Sequence, residues 1–123
     1  MDTPPRALLV RLESLALADE PDAVVVQKWV TLLTPVEREQ ALELLALDEL
    51  TWFAHDELGL EVASATRTLA KAAPALAREL QRQDGIEPAL YRLAHGYLSP
   101  RRRLTLGTAG EAYARALRTA QQS

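Results

Sequence analysis

The chain has 123 residues, of which 48% are hydrophobic and 25% charged, and its formal net charge is −3. That is the size and balance of one folded domain with its own core, and it excludes a disordered or fibrous chain over most of the length. The absence of cysteine excludes disulfides, thiolate catalysis and cysteine-ligated zinc or iron–sulfur centres.

No run approaches the ~18 consecutive apolar residues that cross a bilayer. The start, Met1-Asp2-Thr3-Pro4-Pro5, has neither a basic n-region nor a small-residue cleavage site, so no secretory signal is expected. A cytoplasmic protein with no membrane partner is the expectation.

Thr3-Pro4-Pro5 opens a first helix that carries Leu8, Leu12 and Leu15 on one face, with proline suited to the first turn. Asp19-Glu20-Pro21-Asp22 stops it and starts a second helix, where acids favour the positive end of the helix dipole. That helix runs to about residue 33, with Val26, Trp29, Val30 and Leu33 on its stripe. Thr34-Pro35-Val36-Glu37 is a strong third start: threonine caps, proline takes the first helical position and glutamate completes a capping box. The stretch from there to Leu58 has no proline or glycine. It reads as one long helix, or as two with a break near Asp48. Trp52 and Phe53 are read as core, and Gly59 as the stop.

The second half is rich in alanine and arginine. Residues 62–73 read as helix, and Pro74 reads as the start of another running to about 83. Asp84-Gly85 reads as a turn. Residues 86–96 are ambiguous between a short helix opened by Pro88 and an extended piece. Ser99-Pro100 reads as a turn, and Arg103-Leu104-Thr105-Leu106 alternates as a strand does. Gly107 ends it, and Thr108-Ala109-Gly110-Glu111 caps a last helix with Tyr113, Ala116, Leu117 and Ala120 on one face. Residues 121–123 should fray.

Charge divides with the chain. Residues 1–61 hold four basic and thirteen acidic side chains, a net −9, whereas 62–123 hold ten basic and four acidic, a net +6. Such asymmetry points to an anionic partner for the basic half, or to attraction between the halves.

The segment Gly96-Tyr97-Leu98-Ser99-Pro100-Arg101-Arg102-Arg103-Leu104-Thr105-Leu106-Gly107-Thr108-Ala109-Gly110 places two short extended pieces around an arginine turn, followed by a capped helix. It resembles the wing and closing helix of winged helix-turn-helix DNA-binding domains. The resemblance implies a mainly α fold with a small β-hairpin wing near the C-terminus, within a single domain made of an acidic helical part (1–58) and a basic winged-helix-like part (59–123). It further implies double-stranded DNA as partner, a homodimer through the N-terminal helices and a regulatory role.

Two registers for a recognition helix stay open. One starts at Leu58-Gly59-Leu60 and presents Ser64, Thr66, Arg67 and Lys71; the other uses 88–95 and presents Arg92. In either, Arg101, Arg102 and Arg103 would grip phosphates, which the guanidinium fork suits, and Lys71, Arg78 and Arg82 would add contacts. The alternative is a small helical adaptor that binds a protein, through a front half with Val24, Val25, Val26, Trp29, Leu32 and Leu33.

Catalysis is not expected. His55 lies in Ala54-His55-Asp56-Glu57 with no second histidine one turn away, and His95 is distant. The chain has no glycine-rich phosphate loop and no Gly-x-Ser-x-Gly elbow. No cofactor or metal is expected, and the paired carboxylates of the first half fall on polar helix faces.

Overall fold

The computed structural model describes residues 4–17, 19–99 and 110–122. Among these residues every regular element is a helix: α1 (Pro4–Ala16), α2 (Asp22–Leu32), α3 (Pro35–Asp56), α4 (Val62–Asp84), α5 (Ile86–Leu98) and α6 (Gly110–Gln122). The mainly α class holds, and the β-hairpin wing does not. Tyr97 and Leu98, the expected first arm of the hairpin, form the last turn of α5. Their end of the helix is tied down rather than projecting: the Tyr97 hydroxyl donates to the Glu13 carboxylate, and Ser99 Oγ donates to Asp22 Oδ2 at 2.7 Å. The other arm, 103–106, lies outside the described residues, as do Arg101, Arg102 and the Thr108 cap.

The starts and stops of α3 follow local chemistry. Thr34 Oγ1 accepts from the Glu37 amide at 3.2 Å while the Glu37 carboxylate accepts from the Thr34 amide at 2.9 Å, so the capping box is complete. The helix then runs without a break through Asp48. Beyond it Gly59 takes a φ of +65°, a conformation that costs glycine nothing, and the Leu60 amide closes on the Ala54 carbonyl at 2.9 Å. Gly85, with φ +88°, is the whole link between α4 and α5.

Pro74 does not start a helix; it sits inside α4. A mid-helix proline removes one backbone bond and costs on the order of 3 kcal/mol. Burial outweighs it. Leu69, Ala72, Ala73, Leu76, Ala77 and Leu80 form one buried stripe on both sides of the proline, and burying an aliphatic side chain contributes about 1.5–3 kcal/mol. Over residues 86–96 the helical alternative is the one found, starting before Pro88 and running past Gly96. They belong to a 13-residue helix whose Ala89, Leu90, Leu93, Ala94 and Gly96 are buried.

Helix α3 is the centre of the molecule. It packs against α4 and α5 most extensively, with α1 and α6 as further neighbours, while α2 packs on α1 and α5. One core cluster therefore draws on both halves of the chain, from Leu8 and Leu12 through Leu45 and Leu50 to Leu76, Leu90 and Leu117. Trp29 is fully buried, and its indole N–H donates to the Leu8 carbonyl at 2.8 Å, fastening α2 to α1. Phe53 meets Tyr113 edge-on, with ring centroids 5.5 Å apart. Trp52 is not core: it is 41% exposed.

Candidate nucleic-acid interface

Helix α4 is strongly two-sided. Its alanine content favours helix, and its leucines and buried alanines face α3, α5 and α6. Arg67, Lys71, Arg78 and Arg82 are exposed. They are spaced by four, seven and four residues, which at 3.6 residues per turn returns each to nearly the same angle, opposite the buried stripe. The four cations thus form a line of about 22 Å along one ridge, at 1.5 Å per residue.

Helix α6 packs beside α4. It buries Tyr113, Ala116, Leu117 and Ala120, which leaves Arg115 and Arg118 outward. The Arg115 guanidinium stands 3.5 Å from the Glu79 carboxylate, which also accepts from Arg82 at 3.0 Å and from Gln83 at 2.8 Å. Glu79 is the acid that joins the two basic helices. The Arg82 hydrogen bond, reinforced by the charges of Arg82 and Arg115 and by Gln83, holds its carboxyl below the ordinary carboxylate value.

Several ion pairs form within one half of the chain. Lys28 pairs with Glu20 within the front half; Arg82 and Arg115 pair with Glu79, and Arg92 with Asp84, within the back half. A pair that crosses the division, Arg38 to Glu87 at 2.8 Å, uses a front-half cation and a back-half acid, the minority sign of each. Arg67, Lys71, Arg78 and Arg118 have no acidic partner among the described residues.

Of the residues singled out from sequence, Arg67, Lys71, Arg78 and Arg82 therefore share one exposed face. Arg92 does not join them. It is half-buried on α5 and held by Asp84, and its helix lies in the core against α2, α3 and α4. Over 88–95 Pro88 is exposed, Tyr91, Arg92 and His95 are half-buried, and the remaining positions are buried. In the register beginning at Leu58 the helix that carries Arg67 and Lys71 continues past Pro74 to Asp84, because 62–84 is one helix. Thr66 turns its hydroxyl back to the Val62 carbonyl at 3.0 Å. Arg101, Arg102 and Arg103 fall outside the described residues. Arg115, Arg118 and Glu79 were not anticipated. The pattern that places Tyr113, Ala116, Leu117 and Ala120 inside also places 115 and 118 outside, but only the packing of α6 on α4 brings them to the same surface.

Other candidate chemistry is sparse. His55 Nδ1 and Asp56 Oδ1 lie 2.9 Å apart on an exposed turn of α3. No group of three metal-ligating side chains exists among the described residues, and no helix there is long and apolar enough to cross a membrane. A shallow apolar groove is lined by Leu15 of α1 and by Gln27, Lys28, Thr31 and Leu32 of α2. Comparison with protein-family models, with curated proteins and with solved structures finds no match.

Proposed function

We propose that this protein binds DNA through the cationic face of α4, extended by Arg115 and Arg118 of α6. The observation that carries the reading is the line Arg67, Lys71, Arg78 and Arg82 on one exposed ridge, three of whose members have no acidic partner among the described residues. Concentrated positive charge on a solvent face draws polyanions, and phosphate contacts release counterions and so supply affinity. A regulatory binding role in the cytoplasm, without catalysis, goes with this reading. Arg101, Arg102 and Arg103 carry the same expectation from sequence and are tested by their own replacement.

Fluorescence anisotropy with a labelled duplex tests it. The wild-type chain should bind at about 50 mM salt, and Lys71→Ala with Arg78→Ala should weaken binding by about tenfold or more on duplexes of any sequence. Absence of binding at that salt, or equal binding by the variant, contradicts the proposal.

A second reading is favoured by a separate observation. The groove between α1 and α2 is lined by Leu15 and by exposed Leu32, a surface suited to a protein partner or to a second copy of this chain. A stoichiometric protein complex formed by a chain that binds no duplex would favour it.

A further inference from the structure

Resting on the α4 reading above, we infer that the ligand is double-stranded nucleic acid, gripped by its phosphates without selection of base sequence. Three features of the surface support this.

The first is the shape of the charged element. The cations stand on the outward side of a helix whose other sides are covered by α3, α5 and α6. They form a convex ridge rather than a channel, and a ridge about 22 Å long lies alongside some six or seven base pairs of duplex at 3.4 Å each. A duplex presents one charge per ~1.7 Å of axis, twice the linear density of one of its strands. A row of cations along one helix face gains most from that density.

The second is the place of the aromatic side chains. Single strands are held by stacking bases on aromatic rings, each stack contributing about 1–3 kcal/mol. The chain has six aromatic residues, and none lies on α4. Trp29 and Tyr113 are buried, and Phe53, Tyr91 and Tyr97 are half-buried. Trp52 is exposed, but on α3. The cationic ridge therefore has no stacking platform within it.

The third is what stands between the cations. Base edges are read by bidentate side chains entering a groove. Between the cations this side of α4 carries exposed Ala70 and Gln81 and half-buried Pro74 and Ala75, of which only Gln81 offers a side-chain amide. With α6 packed against its flank, α4 lies on the backbone rather than deep between the strands.

Competition against a labelled duplex of about 20 base pairs, roughly three times the ridge in length, tests the inference on the full chain. Unlabelled duplexes of unrelated sequence should compete equally within about twofold, while either separated strand, chosen free of self-complementarity, should compete about tenfold less well. Equal or better competition by a single strand overturns the duplex assignment. One duplex competing tenfold better than the rest overturns the lack of selectivity. Both results leave the α4 reading standing. If the labelled duplex does not bind, or binds unchanged to Lys71→Ala with Arg78→Ala, the underlying reading falls instead.

Discussion

Glu79 shows how a single side chain sets the character of the surface. It neutralises part of Arg82 and Arg115, so it opposes any polyanion that approaches α4 and α6. Glu79→Gln is expected to strengthen duplex binding several-fold and to steepen the salt dependence by about 0.9 for each cation released to a phosphate. Weaker binding by this variant would place the anion elsewhere. The pH dependence follows from the lowered carboxyl pKa. A carboxylate lowered on folding adds stability above its unfolded pKa, and that stability is lost as pH falls through the folded value. Glu79 therefore stays ionised at neutral pH and drives no change in binding there. Trp29 and Trp52 mark what was legible at this scale. Trp29 was readable as core from its stripe. Trp52 was not readable as surface, because Leu45, seven residues earlier, is buried. The buried side of α3 turns along its length, from Ala41, Leu42 and Leu45 toward Ala46, Leu50 and Ala54, as its packing neighbours change. A linear pattern does not carry that rotation.

At the scale of elements, local chemistry was readable where it acts alone. The capping box at Thr34 and the stop at Gly59 needed no tertiary information. Pro74 was misleading because its local preference is outweighed by the leucine and alanine stripe that α4 buries on both sides of it. Pro74→Ala is accordingly expected to raise stability, by about 1–3 kcal/mol once restored helix propensity is set against the looser unfolded chain. Urea denaturation measures this. A lower midpoint for the variant would mean that the fit of α4 over its neighbours depends on the bend a proline introduces. The wing failed for a related reason. Tyr97-Leu98-Ser99 resembles the entry to a hairpin, yet Glu13 and Asp22, more than 70 residues earlier in the chain, hold its polar groups against α1 and α2.

At the scale of the molecule, the charge division was legible from composition, but its arrangement was not. The sequence reading concentrated the positive end on Arg101, Arg102 and Arg103; the fold reveals a second, longer array on α4 and α6. Folding also mixes the two halves in one core, and Arg38 to Glu87, an ion pair that crosses between them, spends the minority sign of each. The cationic ridge of α4, paired with an acid only at Arg82 among the described residues, is proposed to bind the phosphates of a duplex. The most direct measurement is the slope of log binding constant against log salt concentration, for the wild-type chain and for Arg67→Ala, Lys71→Ala, Arg78→Ala and Arg82→Ala combined. With four to six phosphate contacts the wild-type slope should lie near −4 to −5, and the variant should be shallower by about 3 to 4 while retaining its helical circular dichroism. A folded variant with the wild-type slope, or a wild-type slope near zero, would contradict the account.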